Sequence, residues 1–304
     1  MLEKQDRVGE PVERPLLKPW YRLSVESGRS VLRYAGSVLE FEGAAAERLL
    51  PHLLPLLDGT RSIDDVVAEL GEPARPAVDH ALSLLRAHDL LTEGVAGSRC
   101  SELLAATTGR SVDEIERRLG GAEIHVLGSG PAAEETRRLL GPACRLDWAD
   151  DPPRSGFVVA APSGAEVHLL SELNARFLAA RTEWMQVLPF DGRFAGVGPV
   201  FVPGETACHE CFLFRRDATI AAARDRARGR YPGSPAIDAV LAGLAAHTAL
   251  RHVAIGGDAG TLLAVELAPD LRCTRHFVYR VPRCSACSTT SRRAALAPWS
   301  DVAA

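Results

Sequence analysis

The sequence PGETACHECF, residues 203–212, places two cysteines at C-x-x-C spacing directly after a Pro-Gly turn. A second pair stands in PRCSACS, residues 282–288, near the end of the chain. Each pair follows a β-prone run that ends in proline. A turn of this kind, called a knuckle, points two thiolates at one centre. Two such knuckles complete a tetrahedral zinc site. The predicted ligands are Cys208, Cys211, Cys284 and Cys287. Four thiolates leave no open coordination position, so we predict a structural and not a catalytic zinc.

Two other interpretations of the C-x-x-C pairs stay open at this stage, a redox dithiol and simple packing without metal. His209 lies inside the first pair and is predicted not to be a ligand. The remaining cysteines, Cys100, Cys144 and Cys273, have no neighbouring base or helix start, and we expect each to be a small buried residue.

Composition limits the class of protein. A chain of 304 residues favours two domains. With 46% hydrophobic residues, 24% charged residues and a net charge of −4, it has no general basic field for nucleic acid. The first residues are polar, without the apolar core of a signal sequence, and no later run reaches the roughly 18 uncharged apolar residues of a membrane span. We therefore predict a cytoplasmic protein without a nucleic-acid or membrane partner. In a reducing compartment, paired cysteines favour metal binding over disulfide bonds.

Residues 15–95 show short β-prone runs broken by turns, followed by amphipathic segments. We predict three strands, 16–25, 29–35 and 37–42, and three helices, 44–57, 62–70 and 76–91. Ser62 with Asp65 is a helix-capping pair, and Pro76 opens the third helix. Three strands and three helices in this order predict a small winged-helix-like domain after a flexible N-terminus at residues 1–14.

Residues 121–290 show the alternation of an α/β domain. EIHVLGSGPAAEETRRLL, starting at Glu123, indicates a strand, a glycine turn and a helix, and GFVVAAP indicates a second buried strand. A long apolar helix is predicted at 234–255, with closing strands in TLLAVELAP and HFVYRVP. A linking helix opened by a capping box at Ser111 precedes the domain, in residues 96–120, and residues 291–304 form a tail.

The glycine turn contains Gly128 and Gly130, and Asp147 follows the next strand at about the position of a ribose-binding acid. This pattern fits a nucleotide-binding turn at the start of a helix. It fits equally a turn in which the glycines merely allow close packing of strand and helix.

The run VGPVFVPGETACHECF, residues 197–212, is followed by a long apolar helix, a G-x-L-L strand and V-P-R-C-x-x-C. Together these features resemble the adenylating fold of ThiF and MoeB, relatives of ubiquitin-activating enzymes, over about residues 120–290. The resemblance implies a Rossmann-type α/β domain. In that family the glycine turn binds ATP, an arginine and a lysine hold its phosphates, and an aspartate of a D-x-x-D-N motif helps to hold magnesium.

The chain departs from this family where the chemistry would take place. At the position of D-x-x-D-N it has AAPSG, residues 160–164, and only about ten residues separate Asp147 from the strand at Phe157, too few for the phosphate-binding segment. An ATP-cleaving site depends on these charged groups because neutralising phosphate charge is most of the catalysis. We predict that Gly128, Gly130 and Asp147 are vestigial and that the chain does not bind ATP.

Residues 16–91, with LDGTRSIDDV at 57–66 and a helix ending in HDLL, resemble a PqqD-like recognition element, the module that captures leader peptides of ribosomally synthesised, modified peptides (RiPPs). Its fusion to a degenerate ThiF-like domain is similar to the leader-binding partner proteins of YcaO cyclodehydratases, which form azoline and azole rings in thiopeptides and related peptides. The resemblance implies a non-catalytic subunit that binds a leader peptide and a YcaO enzyme. By resemblance to ThiF-like proteins, a homodimer is also expected.

For the leader peptide we predict an extra strand added to the edge of residues 37–42, with apolar side chains between that strand and the third helix. The candidate contacts are Arg33, Val38, Leu39, Glu40, Phe41, Leu82, Leu85 and Arg86. Strand alternation places Leu39 and Phe41 on one face. The leucines and Phe41 also fit an ordinary core, and the two arginines also fit solvated charges.

Three other functions are consistent with parts of the sequence. The first is an active adenylating enzyme that acts on a peptide C-terminus. The second is a winged-helix DNA regulator, although its third helix offers only Arg86 against Asp79 and Asp89. The third is an NAD-dependent oxidoreductase, which leaves the paired cysteines unexplained.

Overall fold

The computed structural model describes residues 14–18, 21–26, 29–34, 37–94, 97–141, 144–192, 194–220, 233–266 and 271–288. The sequence interpretations of residues 1–13 and of the tail at 291–304 fall outside this part of the chain. The chain packs as two compact units, residues 1–120 and residues 121–304. Within the described residues no helix has both the length and the apolar character to cross a membrane.

The described residues of the first unit form five strands and five α-helices. The strands are β1 Pro15–Leu17, β2 Arg22–Glu26, β3 Arg29–Tyr34, β4 Ser37–Glu42 and β5 Leu91–Glu93. The helices are α1 Ala44–Leu53, α2 Ile63–Leu70, α3 Arg75–Ala87, α4 Arg99–Thr108 and α5 Val112–Gly120. Strands β2, β3 and β4 form an antiparallel sheet in that order, and β1 pairs with β5 in a separate two-stranded sheet.

The structure differs from two sequence predictions for this unit. The predicted strand at 16–25 is divided into β1 and β2, and the predicted third helix does not reach residue 91, which lies in β5 paired with β1. Helix α3 ends at Ala87, and Asp89 adopts a left-handed conformation with φ 55° that turns the chain out of the helix. Leu91 then pairs with Leu17. The end of this helix was not predicted because a left-handed aspartate leaves a weaker sequence signal than glycine.

The predicted cap of α2 is present. The Ser62 hydroxyl accepts a hydrogen bond from the backbone N–H of Asp65, and the Asp65 carboxylate accepts one from the backbone N–H of Ser62. These reciprocal bonds satisfy backbone donors that a helix start leaves unpaired. The unit is held by an apolar core of leucines and valines from β3, α1, α2 and α3.

The second unit is a mixed α/β domain. Its strands are β6 Ile124–Leu127, β7 Cys144–Leu146, β8 Phe157–Ala160, β9 Glu183–Leu188, β10 Phe194–Phe201, β11 Thr261–Glu266 and β12 Arg272–Phe277. Its helices are α6 Pro131–Leu140, α7 Leu170–Ala180, α8 His209–Ile220 and α9 Pro235–Ile255. The seven strands form one sheet in the order β12-β11-β10-β9-β8-β6-β7, parallel from β7 to β9 and antiparallel from β9 to β12.

Helices cover both faces of this sheet. On one face, α9 packs against α6, with Ala245 and Ala249 buried. On the other, Phe177 of α7 and Trp184 of β9 pack at a ring-centroid distance of 5.7 Å in the same core as the four paired cysteines. Every residue of β8 is buried, as expected for a parallel strand covered on both sides. The last strand lies at Arg272–Phe277, earlier than the predicted run HFVYRVP, because the chain turns at that run toward the cysteines.

Candidate functional site

The four paired cysteines meet in the core of the second unit. One pair stands at the start of α8, and the other follows β12 after a turn in which Arg283 has φ 57°. All four sulfur atoms lie within 4.8 Å of one another, and all four residues are buried. The sequence prediction that these residues converge, although 72 residues separate the two pairs, is confirmed.

The sulfur spacing is compatible with a metal site and not with a disulfide. The Sγ–Sγ distances are 3.8 Å for Cys208–Cys211, 3.8 Å for Cys208–Cys284 and 3.6 Å for Cys211–Cys287. A disulfide would bring two sulfurs to about 2.05 Å. Thiolates about 2.3 Å from a shared tetrahedral centre stand about 3.8 Å apart, so the arrangement can hold one metal ion.

The ionisation of the thiols also favours a cation. The hydrogen bond that Cys208 donates to Cys211, together with burial, raises the pKa of Cys208, and the same bond lowers the pKa of Cys211 to about 4. Burial and the charge on Cys211 raise the pKa of Cys287 to about 11. One thiolate forms readily and its neighbours then resist ionisation. A bound cation removes this resistance, because metal ligation requires thiolates.

Groups around the thiols fix the second knuckle. The backbone N–H of Val281 donates to Cys211 Sγ at 3.3 Å, and the Arg280 guanidinium donates to the carbonyls of Gly204 and Cys287. His209 turns away from the cluster, its Nδ1 lying 2.7 Å from Oε1 of Gln186. The histidine therefore belongs to the packing beside the site.

The other cysteines do not all follow the prediction of small buried residues. Cys273 lies on β12 and is exposed, so the prediction is wrong for this residue. Its strand is at one end of the sheet and is exposed at all six residues. Cys100 is half-buried, and burial raises the pKa of its thiol. The side chain of Cys144 falls outside the described residues.

The glycine turn joins β6 to α6. Gly128 has φ 122°, and a Cβ atom there would lie 2.1 Å from the carbonyl oxygen of Ala161. At Gly130 a Cβ atom would meet Ser163 at 3.4 Å, an ordinary contact. Gly128 is therefore required by the approach of the neighbouring strand end, whatever the turn binds. Asp147 lies at the end of β7 with an exposed side chain, and its backbone N–H donates to the Asp150 carboxylate.

A carboxylate that the sequence interpretation missed lies against this turn. Glu166 Oε1 accepts from the Ser129 hydroxyl at 2.9 Å, and Oε2 accepts from the backbone N–H and the hydroxyl of Ser163, both at 2.8 Å. Burial raises the pKa of Glu166, but these bonds outweigh it, so the pKa lies below its usual value. The S-x-x-E spacing of Ser163 and Glu166 is a capping signal visible in the sequence. Its link to Ser129, 37 residues away, is not.

The lowered pKa of Glu166 predicts a pH effect on stability. The carboxylate stabilises the fold above its ordinary pKa of about 4.5, and that contribution is lost as the pH falls through the lower folded-state value. We expect Glu166→Gln to cost about 1 kcal/mol at pH 7 and less at pH 4. Urea unfolding at both pH values measures this. The matched control is Glu172→Gln, at an exposed position in the first turn of α7. An equal loss at both pH values would contradict the prediction.

A cavity of about 360 Å³ opens beside the glycine turn. It is bordered by Gly130, by residues 162–164 after β8, and by the start of α9. Among the described residues the only ionisable side chain that lines it is Asp238, whose pKa is raised by burial. The described lining of this cavity thus contains one carboxyl group and no positively charged side chain.

The candidate leader contacts lie on three elements of the first unit. Arg33 is on β3, Val38, Leu39, Glu40 and Phe41 are on β4, and Leu82, Leu85 and Arg86 are on α3. Leu39 and Phe41 are half-buried and pack against the apolar cluster that contains Leu82 and Leu85. These two leucines are 1% and 0% exposed, so they form the inner wall of this cluster. Arg86 is exposed at the surface of α3.

The opposite face of β4 is exposed and mostly polar. Glu40 pairs with Arg29 of β3 at 2.9 Å, and the Arg33 guanidinium donates to the Ser24 hydroxyl. Val38, on this same face, is 53% exposed. Within the described part of the chain β4 pairs with β3 alone, so its second edge presents backbone groups that could bond another strand.

Solved structures of other proteins share the fold of this chain. No protein-family model and no curated protein matches the sequence. The structure of the heterocyclase TruD aligns with a TM-score of 0.64 at 20% identity, over 90% of this chain and 43% of that one. A heterocyclase in complex with substrate and cofactor aligns with a TM-score of 0.62 at 18% identity, over 90% and 39%. E. coli MccB with AMPCPP and MccA aligns with a TM-score of 0.62 at 14% identity, over 90% and 99%. The chain thus spans less than half the length of the two heterocyclases.

Proposed function

We propose that this protein binds the leader peptide of a ribosomally synthesised precursor and presents its core to a YcaO cyclodehydratase, which forms thiazoline or oxazoline rings at the expense of ATP. The observation that carries the proposal is the fold shared with heterocyclase structures over 90% of the chain, both units included. In this assignment the first unit is a recognition element of winged-helix type and the second a ThiF-like platform. Binding the leader raises the effective concentration of the core peptide at the partner enzyme.

The leader peptide is proposed to add to the free edge of β4. Main-chain bonds to this edge supply affinity, and side chains that point to the α3 side meet Leu39 and Phe41, which supply selectivity. The half-buried state of these two residues supports the assignment, because they can gain further burial on binding. Val38 and Glu40 would take part through their backbone atoms. Arg86 is placed to pair with a leader carboxylate.

The ATP-dependent step is assigned to the YcaO partner. The turn at Gly128 is tied to Glu166, and the described lining of the adjacent cavity has an acid in place of phosphate-binding cations. Phosphoryl chemistry needs positive groups around the phosphates. These features favour a non-catalytic subunit over the alternative of a ThiF-like adenylating enzyme. Exchange of pyrophosphate into ATP by the protein alone would support that alternative.

The metal is proposed to be zinc in a structural role. Four buried thiolates at tetrahedral spacing form a closed site that zinc prefers. The cluster joins the start of α8 to the segment after β12, so the ion would connect parts of the domain that are distant in sequence.

Leader binding tests the proposed function. The full-length protein is titrated into the fluorescein-labelled leader peptide encoded beside its gene, and anisotropy is recorded. We expect saturable binding that Phe41→Glu weakens at least about tenfold, because a charge replaces an apolar contact. Val38→Glu is the matched control, since it adds the same charge to the opposite face of the same strand and should change affinity little.

Thermal unfolding shows whether each variant is folded, and the milder Phe41→Ala replaces Phe41→Glu if that protein is destabilised. Equal weakening by the Val38 and Phe41 variants would reject the face assigned to the leader. No binding of the leader to the wild-type protein at concentrations well above micromolar would reject the proposed function.

A further inference from the structure

A second cavity of about 360 Å³ opens on the antiparallel half of the large sheet. Gly196 of β10 is paired with Ala264 of β11 on one side and with Leu188 of β9 on the other. Paired residues project from the same face of a sheet, so these three residues form one floor. Phe212 of α8 and Val278, which follows β12, stand beside this floor. The hollow exists because the two central floor positions carry no side chain or only a methyl group.

Among the described residues four ionisable side chains line the cavity, and each already has a partner within the chain. Arg215 donates to two backbone carbonyls that follow β12, and Arg216 lies 3.7 Å from the carboxylate of the next residue. His276 Nε2 lies 2.8 Å from the Thr274 hydroxyl, and the Asp191 carboxylate accepts from a backbone N–H of its own turn. The surface that remains for a ligand is apolar, so the cavity favours an uncharged side chain over an ion.

Exposed aromatic surface continues from the lining of this cavity. Phe277, which is part of the lining, is 53% exposed, and Tyr279 is 63% exposed. The centroids of the two rings are 4.8 Å apart. Exposed apolar surface next to an apolar hollow is typical of an interaction site.

The described chain ends beside this cavity. Its last residue, Ser288, follows Cys287, whose Sγ is 3.6 Å from that of Cys211. Cys211 directly precedes Phe212 of the cavity wall. The segment that continues from this point, residues 289–304, therefore starts next to the wall formed by α8.

This segment has the length and the composition to enter the cavity. Residues 294–299 read AALAPW, an uncharged run that ends in a large aromatic side chain. Trp299 follows Ser288 by eleven residues. An extended chain covers roughly 3.5 Å per residue, so the tryptophan can return to the α8 wall with chain to spare. Pro298 restricts the residue before it to extended conformations, which lowers the entropy lost on docking.

We propose that this cavity is the docking site of the chain's own segment 289–304, with the indole of Trp299 inserted over the two small floor residues. The ring packs against Phe212 and removes apolar surface from water on both partners. A buried indole N–H needs an acceptor. The Asp191 carboxylate in the lining supplies it, because a carboxylate can accept more bonds than the one from its own turn.

Covalent attachment favours this occupant over a separate partner or a second copy. A segment tethered close to its site has an effective concentration of about 1 mM. With a dissociation constant of about 100 µM for the free segment, the attached one fills the site in about nine of ten molecules. A partner of equal affinity at about 1 µM would fill roughly one site in a hundred.

Competition between the attached segment and a free one tests the site. The probe is a fluorescein-labelled peptide of residues 289–304, titrated into the full-length protein and into its Trp299→Ser variant while anisotropy is recorded. We expect the variant to bind the peptide about tenfold more tightly than the wild type, whose site is already filled in about nine of ten molecules. A peptide that itself carries Trp299→Ser is the control, and the variant should bind it at least about tenfold more weakly.

A change in the floor locates the contact. Ala264→Leu, added to the Trp299→Ser protein, fills the hollow and should weaken binding of the peptide at least about tenfold. The matched control is Ala239→Leu, which adds the same side chain at an exposed position of α9, on the other face of the sheet. Melting temperature and metal content show whether each variant is folded, and the milder Ala264→Val replaces Ala264→Leu if that protein is destabilised.

Equal affinity of the wild type and the Trp299→Ser protein for the peptide, no binding to the Trp299→Ser protein, or unchanged affinity after Ala264→Leu overturns the proposal. A wild type that dimerises with rising concentration in sedimentation, while Trp299→Ser stays monomeric, assigns the cavity to the segment of a second copy and overturns docking within one chain. Leader anisotropy is recorded on the same variants and should not change. Failure of this site is therefore distinct from failure of the proposed function.

Discussion

We expect that replacing Cys284 and Cys287 together by alanine abolishes binding of the proposed zinc ion and unfolds the second unit. The two residues are half of the buried thiol cluster and belong to the core that contains Phe177 and Trp184. Structural zinc contributes roughly 10–16 kcal/mol in small zinc-binding peptides, as much as the whole stability of a typical domain, about 5–15 kcal/mol. Loss of the ion should therefore leave the unit without a stable fold at 25 °C.

The measurements are metal content by mass spectrometry and thermal unfolding by circular dichroism. We expect one zinc per chain in the wild type and none in the double variant. Cys273→Ala is the control, because it removes an exposed thiol from the same unit and should leave both quantities unchanged. A double variant that keeps its zinc and its melting temperature would refute the metal site.

Replacing Gly128 by alanine will destabilise the second unit by about 3 kcal/mol or more. Two costs add: alanine disfavours the positive φ of this position, and its methyl group has no space. The residue has φ 122°, and the added methyl group would stand 2.1 Å from the Ala161 carbonyl oxygen, which belongs to backbone and cannot rotate away. The expected loss is independent of any nucleotide, because it arises from packing within the fold.

Gly256→Ala is the matched control for this prediction. Gly256 ends α9 with φ 73°, and a Cβ atom there would meet nothing within 4 Å. This change should cost only about 1 kcal/mol, the conformational cost without the clash. Denaturant unfolding of both variants gives the comparison. Equal small losses at the two glycines would show that the turn can relax, and the packing explanation of Gly128 would then be wrong.

The four-cysteine cluster could be predicted from the sequence because the spacing of each pair is a local signal. Each C-x-x-C knuckle carries its own geometry, and four thiols of this kind require only that the fold bring two turns together. Two elements of the second unit follow a comparable rule, since β8 and α9 carry apolar patterns that predict a covered strand and a buried helix. The cap at Ser62 is likewise complete within four residues.

The sequence therefore determined the elements whose cause lies within a few residues: the knuckles, the capping box, the buried strands and the long helix. Only the tertiary structure decided which residues meet across the chain. It brought Leu91 beside Leu17, set Glu166 against Ser129, and left Cys273 on an open edge. The physical reason is that periodicity records how much of a residue is buried, whereas the identity of its neighbour depends on the order of strands and the path of loops.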